Sequence, residues 1–280
     1  MKEITINWHI TEQCNYSCNY CFAKYTPNSK KELHYSKKSI ETVLKNIYTY
    51  FSKEFKNHII RLNIAGGEPS LSKNLSFIIQ TAYKLGFKVS IITNASKLTK
   101  KFIELNAKYL SIFAISVDSL NEITNTQIGR IFRDETLKTS TIIKNIEQFR
   151  ILNNDIEIKI NSVVNSYNFQ EYLGDFIDLI EPDKWKIFQA LSFGTENYCT
   201  EKEFEIFLEN HKKIKTPVFK ESNEDMTDSY IMIDPYGRFY QNTEGHYNYS
   251  NSIIDFPIEK AFSQIKFDLS KFKNRYIKTS

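Results

Sequence analysis

The chain has 280 residues, of which 41% are hydrophobic and 25% are charged. This length allows one large domain or two small ones with a substantial core, and the composition excludes disorder over most of the chain. No run approaches the roughly 20 apolar residues of a membrane span, and no signal peptide opens the sequence. We therefore predict a cytoplasmic protein with reduced cysteines and no membrane partner.

The net charge of +4 is unevenly distributed along the chain. Residues 259–280 carry six Lys or Arg against two acidic residues, which equals the excess of the whole chain. Such a basic tail favours a polyanionic partner such as a triphosphate or a nucleic acid. A solvated helix face with a frayed end would have the same composition.

Strand and helix signals alternate from the N-terminus onward. Strands are predicted over residues 4–8, 59–64, 89–93, 110–116, 156–164 and 185–191. Helices are predicted over residues 36–51, 75–85, 99–105, 137–152 and 169–180. Six strand–helix units in a row imply a parallel sheet with outer helices. Because they occupy only about 190 residues, too few for an eight-unit barrel, we predict an α/β fold with a partial (β/α)6 barrel.

The pattern changes after residue 197. A helix is predicted over residues 202–212, and residues 230–240 have the pattern of a hairpin that turns at Asp234-Pro235-Tyr236-Gly237. We therefore predict a partial barrel over residues 1–197. Residues 198–280 are predicted to form a C-terminal extension, a helix plus a hairpin, that covers the open side of the barrel.

Three of the four cysteines, Cys14, Cys18 and Cys21, fall within eight residues. A structural zinc site would need a fourth ligand, which His9 or His34 would have to supply. Three thiolates on a four-iron cluster instead leave one iron without a protein ligand. That iron can chelate the amino and carboxylate groups of a small molecule and pass it an electron.

The spacing C-x3-C-x2-C, in a loop after the first strand, resembles the radical S-adenosylmethionine superfamily. So does the turn Gly66-Gly67-Glu68-Pro69 after the second strand, where glycines allow close approach and the carboxylate can accept from an ammonium. The resemblance implies a [4Fe-4S] cluster on the three cysteines and S-adenosyl-L-methionine as cofactor. The residues that it assigns to S-adenosyl-L-methionine here are Tyr20, Phe22, Gly66, Gly67 and Glu68.

Further segments resemble the viperin-like radical enzymes and span residues 7–240. They comprise residues 7–16, 114–119, 128–130, 159–165, 185–189, 194–197, 221–223 and 228–230. Viperins dehydrate nucleoside triphosphates to 3′-deoxy-3′,4′-didehydro products that terminate viral RNA synthesis. The resemblance implies a lyase for CTP, UTP or GTP in antiviral defence, without the N-terminal membrane helix of animal members.

By the same resemblance, polar residues at the carboxyl ends of the third and fourth strands contact the ribose and adenosine of S-adenosylmethionine. These residues are Thr93, Asn94 and Ser116, and barrel enzymes place ligand-binding groups at such strand ends. Arg130 resembles the arginine that meets the carboxylate or the ribose of this cofactor. Capping of a turn is the alternative role for each of these side chains.

Lysines on the last two predicted barrel strands share one face with Asn161. Lys159 and Asn161 are two residues apart, as are Lys184 and Lys186 on the next strand, so each pair points to one side. Polar residues on one face of a barrel strand line its interior, where a lysine without an anionic partner is costly. These lysines therefore favour a triphosphate ligand, although Lys184 could point to solvent instead.

Tyr236 resembles the tyrosine that faces the substrate in viperins. Either Lys159 or Tyr236 is the candidate proton donor to the leaving 3′-hydroxyl. Lys273 and Arg275 are expected to close over the phosphates, and a flavodoxin or ferredoxin is expected to supply electrons, with no direct nucleic-acid partner. The alternatives are a radical enzyme that modifies a peptide or RNA, and a scaffold protein with a structural cluster.

Overall fold

A computed structural model describes residues 3–21, 31–191 and 197–274 of the chain. The predicted site residues Phe22 and Arg275, and the predicted motif at residues 194–196, lie outside the described residues. No helix within the described part of the chain is both long and apolar enough to cross a membrane.

The strands and helices of the described residues follow one another in an α/β pattern. The strands are β1 (Glu3–His9), β2 (Ile59–Ala65), β3 (Lys88–Thr93), β4 (Ile112–Ser116), β5 (Ile131–Phe132), β6 (Glu135–Thr136), β7 (Glu157–Val164), β8 (Lys184–Gln189), β9 (Val218–Glu221), β10 (Ile231–Ile233), β11 (Arg238–Thr243) and β12 (His246–Ser252). The helices are α1 (Lys37–Glu54), α2 (Leu75–Leu85), α3 (Lys100–Asn106), α4 (Glu122–Ile128), α5 (Thr139–Leu152), α6 (Gly174–Ile180), α7 (Glu201–Asn210), α8 (Asn223–Met226), α9 (Ile258–Phe262) and α10 (Leu269–Asn274).

Ten of these strands form one sheet in the order β12-β11-β10-β1-β2-β3-β4-β7-β8-β9. All neighbours from β10 to β9 are parallel, and only β11 and β12 are antiparallel to their neighbours. The sheet does not close on itself within the described residues, because β12 and β9 stand at its two ends. The predicted α/β fold class with a partial barrel is therefore confirmed.

The barrel strands are two-sided because successive side chains in a strand point to opposite faces. In β1, Ile6 and Trp8 are fully buried and belong to the same hydrophobic core as Phe51 of α1. The alternate residues Thr5 and Asn7 line a cavity on the other face. Burial of each large apolar side chain is worth about 1.5–3 kcal/mol, so the outer face stabilises the fold and leaves the inner face free for polar groups.

All six predicted barrel strands are present, but the helix predicted over residues 169–180 begins only at Gly174. Asn168 explains the late start, because its side chain accepts from Asn165 N–H at 2.8 Å and donates to Asp118 O at 2.8 Å. Asn side chains that bond the backbone in this way favour turns over helix. The sequence prediction also missed β5, β6, β9, β12, α4, α8, α9 and α10.

The predicted hairpin is confirmed, since β10 and β11 are antiparallel and Gly237 takes a φ of +77° in the turn between them. The strands after residue 197 join the ends of the sheet, with β10 parallel to β1 and β9 parallel to β8. The proposed domain boundary at residue 197 remains a prediction.

Two helices end at a glycine in the left-handed conformation, and this similarity allows a matched test. Gly129 after α4 has a φ of +87°, and Gly86 after α2 has a φ of +101°. A Cβ on Gly129 would lie 2.4 Å from Ser17 O in the cysteine loop, whereas a Cβ on Gly86 would meet the movable Tyr48 hydroxyl at 2.5 Å. We expect Gly129→Ala and Gly86→Ala each to cost about 1–2 kcal/mol of stability.

Only Gly129→Ala is expected to reduce the iron bound per chain after anaerobic reconstitution, because only its Cβ displaces the backbone that carries the cysteines. Thermal unfolding and iron content are the two measurements. Equal iron loading of the two variants would contradict this role of Gly129.

Candidate active site

The cysteine loop, residues 10–21, follows β1 and lies against the end of α4. Ser17 N–H donates to Gly129 O at 3.1 Å, and Asn19 N–H donates to Ile128 O at 2.9 Å. The loop backbone is thus fixed by the carbonyl groups at the carboxyl end of a helix, which would otherwise lack donors.

The turn after β2 lies against the other side of this loop. Gly67 N–H donates to Thr11 O at 2.8 Å, and Glu68 N–H donates to Gln13 O at 2.7 Å. A Cβ on Gly66 would lie 2.6 Å from Thr11 O, and one on Gly67 would lie 2.2 Å from Gln13 O. The two glycines are therefore required by the approach of the cysteine loop. Their predicted contact with S-adenosylmethionine remains a prediction.

Cys14, Cys18 and Cys21 are thiols outside any disulfide; Cys14 is exposed and the other two are half-buried. Burial raises the pKa of the Cys18 thiol to about 12; Arg130 opposes this shift, and the thiols of Cys21 and Cys14 add to it. Three neighbouring thiolates repel one another unless cationic iron neutralises them, so the donor set fits an iron–sulfur cluster.

A site for a single metal ion fits the structure less well. Among the described residues, no three Cys, His, Asp or Glu side chains converge as ligands of one ion. Each thiolate of a four-iron cluster binds a different iron, so a cluster does not need such convergence. His34, one proposed fourth zinc ligand, instead contacts Glu32 Oε2 through Nε2 at 2.7 Å and Ser72 Oγ through Nδ1 at 2.8 Å. His9, the other, contacts the Tyr240 hydroxyl through Nδ1 at 2.8 Å.

The carboxylate of Glu68 is only 1% exposed and joins two further predicted cofactor residues. Its Oε1 accepts from Thr93 Oγ1 at 2.6 Å and from Ser70 N–H at 2.9 Å, and its Oε2 accepts from Asn94 N–H at 2.7 Å. Glu68, Thr93 and Asn94, which lie far apart in sequence, are thus brought together beside the cysteine loop. An ordered carboxylate in this position suits an ammonium group as partner.

Arg130 lies in a buried network with Tyr20 and with Asp118, which the sequence analysis missed. Its Nη1 donates to Asp118 Oδ2 at 3.0 Å and to the Tyr20 hydroxyl at 3.2 Å, and its Nη2 donates to Ser116 O at 2.6 Å. The Tyr20 hydroxyl donates to the same Asp118 carboxylate. Burial would lower the pKa of Arg130, but Asp118 and Tyr20 raise it well above its usual range.

Asp118 therefore balances the positive charge of Arg130, the residue that the sequence analysis expected to contact the cofactor. Its position two residues after β4 was a usable signal, because ligand-binding groups cluster at strand carboxyl ends. The contacts of Tyr20, Ser116 and Arg130 with the cofactor remain predictions.

A cavity of about 450 Å³ lies on the inner face of the sheet. Lys159, Lys184 and Lys186 all line it, together with Arg61, Lys220 and Lys271, which the sequence analysis did not select. Arg61 and Asn63 are two residues apart on β2, which is the same pattern that singled out Lys159 and Asn161. The periodicity of polar residues along β2 was therefore an available signal.

Carboxylates inside the protein pair with several of these cations. Lys184 Nζ lies 2.5 Å from Glu157 Oε2, and Lys186 Nζ lies 2.5 Å from Glu221 Oε1. The side chain of Lys184 is 38% exposed, whereas that of Lys186 is 12% exposed. Carboxylates of the protein itself thus supply part of the negative charge that these lysines were predicted to need. Lys186 is more deeply buried than Lys184.

Arg61 and Lys88 extend this pairing across the amino ends of the strands. Arg61 pairs with Glu3, and Lys88 Nζ lies 3.4 Å from Glu3 Oε2 and 3.6 Å from Glu157 Oε1. Burial would raise the pKa of Glu157, but Lys184, Lys88 and Arg61 together lower it. The amino ends of the strands therefore carry a row of alternating charges.

Polar amides line the inner face between this end and the cysteine loop. Asn63 Nδ2 donates to Asn7 Oδ1 at 2.8 Å, and Ser90 Oγ donates to Asn63 Oδ1 at 2.8 Å. Asn161 lies between Ser116 and Lys186 in the strand register and is 5% exposed, and its Oδ1 has no donor within the described residues. A buried acceptor without a donor is unfavourable, so Asn161 marks a place for a ligand donor or a water.

Tyr236 lies in the turn between β10 and β11, next to the start of the cysteine loop. Its side chain is 8% exposed and is hydrogen-bonded to the side chain of Glu12. Burial and the neighbouring carboxylate of Glu12 raise the pKa of Tyr236, so the phenol stays protonated. The two proton-donor candidates therefore lie in different places, Lys159 in the cavity and Tyr236 beside the cysteine loop.

Lys273 lies on α10 and is exposed, and it does not line the cavity. Lys271 and Asn274 of the same helix do line the cavity. Positions three apart share one helix face, which explains why Lys273 points elsewhere.

Known protein families and curated proteins include relatives of this chain. Residues 8–180 match the Radical SAM superfamily. An S-adenosylmethionine-dependent nucleotide dehydratase of Psychrobacter lutiphocae is 39% identical, over 100% of this chain and 96% of that protein. The S-adenosylmethionine-dependent nucleotide dehydratase RSAD2 of Oncorhynchus mykiss is 31% identical, over 97% of this chain and 78% of that protein.

Solved structures share the fold at low sequence identity. The structure of anSMEcpe with bound AdoMet and a peptide has a TM-score of 0.71 at 15% identity, over 96% of this chain and 84% of that chain. Streptococcus suis SuiB bound to S-adenosylmethionine has a TM-score of 0.66 at 15% identity, over 98% of this chain and 67% of that chain. The chain therefore belongs to the radical S-adenosylmethionine superfamily and, within it, to the viperin-like S-adenosylmethionine-dependent nucleotide dehydratases.

Proposed function

We propose that this chain dehydrates a nucleoside triphosphate (CTP, UTP or GTP) to its 3′-deoxy-3′,4′-didehydro analogue. The names of its relatives support this activity. The observation that supports it is the cavity lined by Arg61, Lys159, Lys184 and Lys186, in the same sheet whose first strand leads into the cysteine loop. Its volume of about 450 Å³ lies within the usual range for small-molecule sites. A nucleotide without a 3′-hydroxyl terminates RNA synthesis, which fits a role in antiviral defence.

Cys14, Cys18 and Cys21 would hold the cluster, and the group around Glu68 would hold S-adenosylmethionine. When bound, the two cofactors supply a radical that removes the hydrogen from C4′ of the ribose. Glu68 is placed to accept from the ammonium of the methionine part, with Thr93 and Asn94 ordered by the same carboxylate. These residues fix the orientation of the cofactor, on which the selectivity of the attack depends.

The cations of the cavity would bind the triphosphate. Lys159 and Lys184 lie opposite each other on adjacent strands, and Lys186 lies two residues closer to the carboxyl end of β8. Arg61 of β2 also lines the cavity. A nucleotide held there by its phosphates presents its ribose toward the cysteine loop at the strand carboxyl ends. This orientation places C4′ on the side of the cofactors.

We assign the proton that leaves with the 3′-hydroxyl to the phenol of Tyr236. The phenol is protonated at neutral pH, and the side chain of Glu12, to which it is hydrogen-bonded, is the neighbouring group that can exchange the proton. One electron completes the unsaturated sugar, and we propose a flavodoxin or ferredoxin as its source. A cluster with an open iron and three thiols requires a reducing compartment, so we place the protein in the cytoplasm.

The decisive assay mixes reduced, cluster-loaded enzyme with S-adenosylmethionine and CTP, UTP or GTP in turn. We expect 5′-deoxyadenosine together with a nucleotide lighter by one water, both measured by liquid chromatography and mass spectrometry. Cys18→Ala should yield neither product, because the cluster loses a ligand. Formation of 5′-deoxyadenosine without change in any nucleotide would contradict the proposal and favour a peptide or RNA substrate.

Glu68→Gln tests the cofactor site because it keeps the shape of the side chain and removes its charge. We expect the affinity for S-adenosylmethionine to fall at least about tenfold, since a charge-assisted hydrogen bond is worth about 1.5–3 kcal/mol. Calorimetry on the cluster-loaded protein measures this affinity directly. Glu209→Gln changes an exposed carboxylate of α7 and serves as the control. Unchanged affinity in Glu68→Gln would remove this residue from the cofactor site.

Tyr236→Phe and Lys159→Met distinguish the two proton-donor candidates. Loss of a general acid costs about 100-fold or more in turnover, so Tyr236→Phe should lower kcat, leave KM for the nucleotide unchanged and still release 5′-deoxyadenosine. Lys159→Met should mainly raise KM, because its ammonium contacts phosphate. Steady-state kinetics with both products quantified separate these outcomes. The reverse pattern would assign the proton to Lys159.

A further inference from the structure

Lys186 is the most enclosed of the cavity cations whose ion pairs are described. Its Nζ lies 2.5 Å from Glu221 Oε1 and 3.1 Å from the Tyr230 hydroxyl. The rings of Phe188 and Tyr230 lie 4.8 and 5.4 Å from the same nitrogen. The ammonium is thus surrounded by a carboxylate, a hydroxyl and two aromatic faces.

Glu221 is just as buried and is ordered from two directions. It ends β9 opposite Phe188 of β8 and is 6% exposed. Its Oε2 accepts a hydrogen bond from the Tyr230 hydroxyl, while its Oε1 contacts Lys186. A carboxylate held in this way keeps its negative charge fixed inside the proposed phosphate site, where water screens it poorly.

We propose that Glu221 stands in for a phosphate on Lys186 when the cavity holds no nucleotide, and thereby limits how tightly triphosphates bind. This inference rests on the proposed function, because it requires the triphosphate to reach Lys186. A buried lysine without a counter-charge is unfavourable, so the substrate-free protein needs Glu221. A phosphate that arrives beside the same carboxylate meets repulsion from it. Substrate and product carry the same triphosphate, so this repulsion helps the product to leave.

The pair of Lys184 and Glu157 is a weaker candidate for this role. Both side chains are about one-third exposed, at 38% and 31%, so solvent screens their charges. The side chains of Lys186 and Glu221 are 12% and 7% exposed. The effect of a carboxylate on an incoming phosphate is therefore expected to be larger at Glu221 than at Glu157.

Glu221→Gln is the test, because the amide oxygen can still accept from Lys186 and the amide N–H can donate to Tyr230. We expect two changes of opposite sense in the cluster-loaded protein. The midpoint of thermal unfolding in phosphate-free buffer should fall by about 2–6 °C, because Lys186 loses its ion pair with Glu221. The affinity for inorganic tripolyphosphate and for the nucleoside triphosphate should rise about tenfold, because a fixed negative charge has left the site.

Glu224→Gln is the matched control, since Glu224 lines the same cavity but is exposed. It removes the same net charge, and its effect on tripolyphosphate affinity should be smaller. If Glu221→Gln does not fold, Glu221→Asp keeps the charge but draws it away from Lys186. That variant should bind tripolyphosphate about two- to threefold more tightly than wild type.

Calorimetric titration distinguishes a failure of this inference from a failure of the proposed function. Weaker or unchanged tripolyphosphate binding by Glu221→Gln would overturn the inference alone and leave Glu221 as a support for Lys186. If the wild-type enzyme binds neither tripolyphosphate nor any nucleoside triphosphate, the cavity is not a phosphate site. The inference then falls together with the proposed function.

Discussion

The close approach of three backbone segments determines the rest of the active site. The cysteine loop lies between the turn at Gly66 and Gly67 and the end of α4 at Gly129. At each of these glycines an added Cβ would lie 2.2–2.6 Å from a carbonyl oxygen of the loop. No side chain can be accommodated at such distances without moving a backbone. The position of the thiols relative to Glu68 follows from this packing.

Besides contacting the cysteine loop, the turn after β2 also positions the side chain of Glu68. Glu68 leaves the turn with its backbone bonded to Gln13 and its carboxylate bonded to Thr93 and Asn94. One residue therefore connects the cysteine loop with the end of β3. A ligand held at this carboxylate lies beside the cysteine loop because the protein has already brought the two together.

The cations inside the barrel are paired with nearby carboxylates, and these ion pairs differ in how far they are exposed to water. At the amino ends of the strands, Arg61, Lys88 and Lys184 pair with Glu3 and Glu157. Water weakens those pairs that involve the partly exposed Lys88, Lys184 and Glu157. The deeper Lys186 is matched by Glu221 in a drier setting, where the same charges interact more strongly. The protein can therefore keep a cationic cavity without a bound anion, at the cost of internal carboxylates that compete with the ligand.

The sequence by itself determined the α/β class, the six barrel strands, the hairpin at Gly237 and the three cysteines, because these depend on local periodicity, turn chemistry and short spacing. It also selected Lys159, Lys184 and Lys186, since residues two apart on a strand share a face. Only the tertiary structure decided which carboxylates meet these cations. Asp118 meets Arg130, and Glu157 and Glu221 meet Lys184 and Lys186, across 12 to 35 residues of chain. Partners so far apart are chosen by strand order and register, which no local pattern encodes.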